Sequence, residues 1–158
     1  MDLVLPIRAE RRCCVSVQTI LKAKGNAVIT AGPPDTLQRI ARLIAEYRIG
    51  AVVIVDAAKH PVGIVSERDI VNALASYGAR ALELPAENVM SRNLITCEMA
   101  STPDELLGVM TNSRVRHLPV VEEGRLIGIV SIGDVVKRKL DDASAEVGML
   151  RDYVMAGR

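Results

Sequence analysis

Two segments of the sequence carry a serine followed three residues later by an aspartate, each directly after an apolar run. They are Ser66-Glu67-Arg68-Asp69 and Ser131-Ile132-Gly133-Asp134. A serine or aspartate just before an apolar helical run is typical of a helix N-cap. The free N–H groups at a helix N-terminus also form a ready site for an anion such as phosphate. Either segment alone is explained by ordinary capping.

The two segments are copies of one longer pattern, and this repetition favours a shared function over two unrelated helix caps. Each glycine, serine and aspartate of the first copy recurs 65 residues later: Gly63, Ser66 and Asp69 return as Gly128, Ser131 and Asp134. The aspartates carry most weight, because a repeated carboxylate at a helix start beside an apolar strand is hard to explain by core packing.

The elements around these segments repeat as well. In each copy a short strand (27–30 or 93–96) precedes a helix with apolar residues at helical spacing, followed by two apolar strands and a second helix. A β-α-β-β-α unit of about 60 residues is too small to bury both faces of its strands alone. We therefore predict an α/β fold of the α+β type, in which two such repeats pack about a pseudo-twofold axis.

The repeat boundaries divide the chain into five parts. We assign 1–15 to an N-terminal extension, 16–77 to the first repeat, 78–84 to a linker, 85–140 to the second repeat and 141–158 to a C-terminal helix. Asp141 and Asp142 are expected to break the pattern after Leu140. The final helix is amphipathic, with Val147, Leu150, Tyr153 and Val154 on one side.

Charge and composition argue against two classes of partner. Twenty basic and nineteen acidic side chains leave almost no net field to hold a polyanion, and the chain has no Trp or Phe and only three Tyr. Nucleic-acid binding is therefore unfavourable. No apolar run approaches the ~18 residues of a membrane helix. We expect no membrane association and a cytoplasmic location.

The residues that could support catalysis or bind a metal are few. The three cysteines are Cys13, Cys14 and Cys97, with no C-x-x-C spacing, and the only histidines are His60 and His117. The only candidate nucleophile and base are Cys13 or Cys14 with a histidine, and their spacing in the sequence does not match a catalytic pattern. We predict reduced thiols, no metal site and no enzyme activity.

Taken in order, the repeated pattern resembles the CBS domain. It consists of Ile-Thr, an amphipathic helix, Arg-Val-Arg-His-Leu-Pro-Val-Val at 114–121 and Gly-Ile-Val-Ser-x-x-Asp. Two copies in tandem resemble a CBS pair, or Bateman module, over Val17 to about Leu140. The resemblance implies a regulatory module that binds AMP, ADP, ATP or NAD in the clefts between its repeats. It also implies a homodimer.

The resemblance assigns nucleotide-binding roles to positions of this chain. Asp69 and Asp134 match the ribose-binding aspartates, since a carboxylate accepts two hydrogen bonds from a diol. The serines offer hydroxyls to phosphate. The full set of expected ligand-binding residues is Thr30, Gly50, Ala51, Ser66, Arg68, Asp69, Thr96, Arg116, His117, Pro119, Ser131 and Asp134. The adenine pocket is expected to use apolar walls, among them Val28, Ile29, Val52 and Leu94.

The two clefts are not expected to be equivalent. Arg68 has Gly133 as its counterpart, and Arg116 and His117 have Gly50 and Ala51, so one cleft can gather more positive charge than the other. Simpler explanations stay open, because the basic pair fits a solvated strand edge, the serines fit plain helix caps and the threonines fit strand formers.

The expected function is that of a stand-alone sensor that binds an adenine nucleotide without transforming it and signals by a change of shape to an unidentified protein target. The alternative is a protein-interaction scaffold, or a nucleic-acid-binding CBS protein, with no nucleotide-sensing role.

Overall fold

The computed structural model describes residues 16–156, which form two units that correspond to the two sequence repeats. The first unit contains β1 (Thr30–Ala31), α2 (Leu37–Tyr47), β2 (Ala51–Val55), β3 (Pro61–Ser66) and α3 (Glu67–Tyr77). The second contains α4 (Pro103–Asn112), β4 (His117–Glu122), β5 (Arg125–Ser131) and α5 (Ile132–Ala156). The helix α1 (Val17–Lys24) precedes them, and the 3₁₀ helices Gly78–Glu83 and Ala86–Asn88 join them. The predicted α/β fold of two repeats with a C-terminal helix is confirmed.

Each unit is built on a small mixed sheet. In the first, β1 pairs parallel to β2, and β2 pairs antiparallel to β3 with Ala51 opposite Ser66. In the second, β4 and β5 are antiparallel with His117 opposite Ser131, and Cys97 alone bridges to Val120 in the parallel direction. The predicted first strands at 27–30 and 93–96 were wrong in extent. The pairing begins only at Thr30 and at Cys97, where backbone groups reach the neighbouring strand.

The opening segment of each repeat packs on the core of the other repeat. Val17, Ile20 and Leu21 of α1 lie in a buried cluster with Leu106 and Leu118 of the second unit. Ala86, Val89 and Met90, which open the second repeat, lie instead against the core of the first unit. This exchange ties the two units together, because neither core is complete without a segment from the other half of the chain.

The repeated glycines of the β3 and β5 strands make this exchange possible. A methyl group on Gly128 would lie 2.6 Å from Leu21 Cδ1, and one on Gly63 would collide with the side chain of Met90. Leu21 and Met90 occupy matching positions at the openings of the two repeats. Glycine at these two positions therefore lets α1 approach β5 and the segment at Met90 approach β3 closely.

The helices that cover the sheets bury the faces that their spacing predicts. Leu37, Ile40 and Ile44 of α2 are buried, as are Leu106 and Met110 of α4. Helix α4 begins with Thr102 as its N-cap, whose hydroxyl accepts a hydrogen bond from the N–H of Glu105, and with proline at the first position.

The last helix differs from the prediction. Helix α5 continues without interruption from Ile132 to Ala156, so Asp141 and Asp142 do not end it. Arg138 pairs with Asp142 at 2.9 Å, an i,i+4 contact that fits an acidic residue within a helix. The predicted C-terminal helix is the continuation of the last helix of the second repeat. Within 16–156, no helix has the length and apolar character needed to span a bilayer.

Candidate nucleotide-binding cleft

A cleft between the two units gathers many of the residues singled out by the sequence. It has a volume of about 360 Å³, within the range of small-molecule sites. Both repeats contribute to its lining. The predicted site residues found in it are Gly50, Ser66, Arg68, Asp69, Arg116, His117 and Pro119.

The floor of the cleft is the turn from β3 into α3, where Ser66 and Asp69 form a reciprocal cap. The carboxylate oxygen Oδ2 of Asp69 accepts hydrogen bonds from the N–H of Ser66 at 2.7 Å and from its hydroxyl at 2.6 Å. Glu67 N–H, at the first position of the helix, donates to the carbonyl of Gly50 at 3.1 Å. The cap therefore fixes the position of the Asp69 carboxylate at the cleft.

The second repeat contributes basic residues to the lining of the cleft. Arg114 has a left-handed backbone with φ of 54°, as has Arg48 at the matching position of the first repeat. Arg68 reaches across from α3, and its Nη1 donates to the carbonyl oxygen of Arg114 at 3.4 Å. Arg116 is the third basic residue of this group. These three exposed arginines all line the cleft, so an anion is favoured there.

His117 also lines the cleft and lies against Gly50 of the first unit. A methyl group on Gly50 would lie 2.7 Å from Cε1 of the imidazole, so glycine is needed at this position. Burial lowers the pKa of His117, while Glu67 and Asp134 oppose the shift and Lys24 and Arg116 add to it. The imidazole is therefore neutral near pH 7, and charged groups of both serine–aspartate turns act on it.

The second serine–aspartate turn has the same cap but a different neighbour. Asp134 Oδ2 accepts from the N–H of Ser131 at 2.8 Å, and it also accepts from Lys24 Nζ at 2.6 Å. Burial raises the pKa of Asp134, but the hydrogen bonds from Lys24 and Ser131 outweigh it, and the net pKa is lowered. Ser131 and Asp134 do not line the cleft that contains Asp69. The sequence predicts that the two clefts differ in Arg68, Arg116 and His117. The structure adds a second difference, because Lys24 contacts the aspartate of the second turn only.

The remaining predicted residues are not among those that line the cleft. Thr30 pairs with Val53 in the first sheet, Ala51 is buried in β2 opposite Ser66, and Thr96 is exposed. The expected adenine walls also differ. Val52 is wholly buried, whereas the apolar side chains that line the cleft are Ile64, Ile95 and Val115.

Several lining residues were missed by the sequence interpretation. Ser91 enters because its N–H and carbonyl exchange hydrogen bonds with Ile64, at 3.0 and 3.2 Å, and this bridge carries Asn93 to the cleft. Ser113 and Arg114 enter through the turn after α4. The left-handed residue shared by Arg48 and Arg114 has a sequence signal, a basic residue before a β-branched one in both repeats. The bridge between Ser91 and Ile64 has no sequence signal, because the two residues are far apart along the chain.

The chain is similar in sequence to a known protein family and to individual proteins. The CBS domain family matches residues 25–76 and 86–141. An uncharacterized protein of Methanopyrus kandleri is 39% identical over 111 residues, which cover 70% of this chain and 57% of that protein. The chain thus spans little more than half the length of this relative.

Solved structures show the same arrangement. A CBS-domain-containing protein of Agrobacterium tumefaciens matches with a TM-score of 0.77 and 43% identity, over 79% of this chain and 99% of that one. The CBS domain pair of protein MJ0100, in complex with 5′-methylthioadenosine and S-adenosyl-L-methionine, has a TM-score of 0.73, 27% identity, and coverage of 82% and 98%. A CBS domain protein of Pyrobaculum aerophilum complexed with AMP has a TM-score of 0.68, 28% identity, and coverage of 76% and 89%.

Proposed function

This chain belongs to the CBS domain family as a tandem pair of domains, and we propose that it is a regulatory module that binds an adenosine-containing nucleotide in the cleft at Asp69 without transforming it. AMP, ADP, ATP and NAD are the expected ligands. The observation that carries the proposal is the pairing of one carboxylate from the first repeat with basic groups from both repeats across a single cleft.

The chemistry of the cleft suits the parts of a nucleotide. The Asp69 carboxylate suits a ribose diol, which donates two hydrogen bonds to one carboxylate. The guanidinium groups of Arg68 and Arg116 suit phosphate oxygens. The half-buried apolar side chains of Ile64, Ile95 and Val115 suit contact with a purine ring.

The solved relatives support an adenosine ligand in particular. AMP, 5′-methylthioadenosine and S-adenosylmethionine share adenosine and differ in what is attached to the 5′ carbon. For this chain, the arginines that line the cleft favour a ligand with a 5′ phosphate over a neutral one.

Signalling would follow from the position of the cleft. Because both repeats line it, a ligand that contacts Asp69 on one side and Arg116 on the other binds most tightly at one relative tilt of the two units. The ligand then shifts the population toward that tilt by its difference in affinity. A protein target that contacts both units would sense the change.

We further propose a cytoplasmic homodimer. Val71 and Leu74 of α3 and Val136 and Leu140 of α5 are exposed apolar residues at related places of the two repeats. Paired across a twofold axis, these faces would bury one another. The same exposed residues favour the alternative of a protein-interaction scaffold, in which the faces bind another protein and the cleft has no sensing role.

Titration calorimetry with AMP, ADP, ATP, NAD and S-adenosylmethionine, and with GMP as a control, tests the proposal. We expect saturable binding of a phosphorylated adenosine ligand. Asp69→Asn keeps the size of the side chain and an acceptor for the cap but removes the charge. Hydrogen bonds to charged groups contribute about 1.5–3 kcal/mol each, so Asp69→Asn should weaken binding by roughly tenfold or more.

Asp134→Asn is the matched control, because it makes the same change in the turn where Lys24 already contacts the carboxylate. It should leave the tightest binding event unchanged. Binding of none of the adenosine ligands, or equal affinity of Asp69→Asn and the unmodified protein, would reject the proposed site and favour the scaffold. Binding of a nucleic acid with a steep salt dependence would favour the other alternative.

A further inference from the structure

The C-terminal half of α5 carries a row of apolar side chains with no cover among residues 16–156. Val147 is 49% exposed, Leu150 60% and Val154 65%. Leu140, about two helical turns before Val147, is similarly exposed. Helix α5 buries Val135 in the second unit near its start, but the later part extends away from the core. An apolar row of this length on an isolated helix is unusual for a monomer.

The row follows a heptad repeat. Leu140, Val147 and Val154 are seven residues apart and fit the a positions, while Val136, Ala143 and Leu150 fit the d positions. The a and d positions from Val136 to Val154 are thus all apolar. Alternating steps of four and three residues create a seam that stays on one side of a supercoiled pair of helices. β-Branched residues at a with leucine at d, as at Val147, Leu150 and Val154, favour two parallel strands.

The charges beside the seam are self-complementary in the parallel direction only. Glu146 is at a g position and Arg151 is at the e position five residues later. In a parallel pair, each g residue faces the e residue of the next heptad in its partner, so Glu146 meets Arg151 twice by symmetry. In an antiparallel pair the e positions face each other, and Lys137 and Arg151 there are both basic.

We propose that Val136 to Val154 forms a parallel two-stranded coiled coil with the same helix of a second copy of this chain. A helix of this extent is about 28 Å long, which is short for a coiled coil in isolation. The seam begins at Val136 and Leu140, which also belong to the exposed face of the second unit. Contact between the units of two copies would hold the tails at high effective concentration and allow a short seam to pair.

Single cysteine substitutions in the C-terminal part of α5 test both the contact between the two helices and its direction. Ala143 and Ala145 are both exposed alanines on α5, two residues apart. Ala143 is at d, where partner residues face each other in a parallel pair, and Ala145 is at f, on the outside. We would introduce Ala143→Cys or Ala145→Cys into a chain with Cys13→Ser and Cys14→Ser, and oxidise it mildly without nucleotide. Cys97 is retained because it is buried.

We expect Ala143→Cys to form a disulfide-linked dimer at least tenfold faster than Ala145→Cys. Equal rates, or no crosslinking at Ala143→Cys, would overturn the coiled coil. If that variant still sediments as a dimer, the dimer is held by the domain faces in another geometry. If it is a monomer, the apolar row is not a contact between copies of the chain. Because no nucleotide is present, neither result depends on the proposed cleft.

A charge exchange gives an independent test. Glu146→Arg places a guanidinium group against the partner's Arg151 at both symmetric contacts, and it should raise the dimer dissociation constant about fivefold, from the magnitude of exposed ion pairs. The double variant Glu146→Arg with Arg151→Glu restores complementary charges and should restore the original constant. Sedimentation equilibrium measures both. A double variant as weak as the single one would contradict the parallel pairing.

Discussion

Lys24 Nζ lies 2.6 Å from Asp134 Oδ2, and this contact makes the two serine–aspartate turns chemically different. Lys24 is the last residue of α1, which packs on the second unit rather than on its own. The exchange of opening segments therefore delivers a cation to the second turn. Among the contacts of the described residues, Asp69 has Ser66 as its partner and takes part in no ion pair.

Removal of the lysine should make the second turn more available to ligand. Lys24→Met keeps a long apolar stem but removes the ammonium group, so the pKa of Asp134 should rise from its lowered value. The Lys24 and Asp134 side chains are 33% and 25% exposed, so the pair contributes at most about 1 kcal/mol. We expect binding at the second turn to strengthen by up to about fivefold, seen as a second event in calorimetric titration with the ligand that binds best.

Lys22→Met is the control, since Lys22 lies on the same helix and is exposed. It should leave the titration unchanged. If Lys24→Met weakens binding instead, the lysine is itself a ligand contact and does not compete with the nucleotide for Asp134.

The close contact of Gly128 and Leu21 predicts a specific double-mutant result. Gly128→Ala alone places a methyl group against Leu21 and should cost about 1–3 kcal/mol of unfolding free energy. In a Leu21→Ala background the space is free, and the same change should cost almost nothing. Urea denaturation of the four proteins measures the coupling.

Gly108→Ala provides the contrasting case. Gly108 lies within α4 with open space around its Cα, so alanine should stabilise the protein by about 0.5–1 kcal/mol. Equal costs of Gly128→Ala with and without Leu21 would mean that α1 does not pack on β5.

The repeat architecture was predictable because local signals agree with the fold. The amphipathic spacing of Leu37, Ile40 and Ile44 and the apolar run from Ala51 to Val55 each occur where the sequence indicates. The exchange of α1 and the segment at Met90 was not predictable, since apolar spacing says which face is buried but not against what. The uninterrupted α5 was missed because Asp142 was read as a breaker, although its pairing with Arg138 is compatible with a helix.

The lining of the cleft was predictable for residues whose chemistry and position both follow from the local sequence. Asp69 and Ser66 belong to a local cap, and Arg116 directly precedes His117, the first residue of β4. Their gathering in one cleft therefore needs only the correct pairing of repeats. Thr30 and Ala51 were placed at the site by the resemblance but do not line the cleft: Thr30 pairs with Val53, and Ala51 is buried in β2 beside Gly50 and Ser66, which do line it. Lys24 carries no signal, because its partner is 110 residues away.

The thiol of Cys97 should be inert in the folded protein. Burial raises its pKa to about 11, so only a very small fraction is thiolate at pH 8. In a chain with Cys13→Ser and Cys14→Ser, iodoacetamide at pH 8 should modify Cys97 at least about 100-fold more slowly than in the urea-unfolded chain. Mass spectrometry over time measures the rates. Comparable rates in the two states would show that the parallel bridge at Cys97 opens readily.

The lowered pKa of His117 predicts a loss of stability in mild acid. An unfolded histidine titrates near 6.5, while burial at the cleft disfavours the charged form in the folded protein. Below pH 6.5 the unfolded state therefore binds more protons than the folded state, and the free energy of unfolding falls as the pH falls. The stabilisation is fully present above pH 6.5, and the loss continues down to the lowered folded pKa.

Urea denaturation between pH 7.5 and 5.5 should show this loss as a difference between the unmodified protein and His117→Gln. The slope from one histidine is at most about 1.4 kcal/mol per pH unit, and the glutamine variant should lack it. His60→Gln is the control, because His60 lies in the turn between β2 and β3 and is 54% exposed. If His117→Gln loses as much stability in acid as the unmodified protein, the imidazole is already solvated in the folded state, and the close contact with Gly50 does not persist in solution.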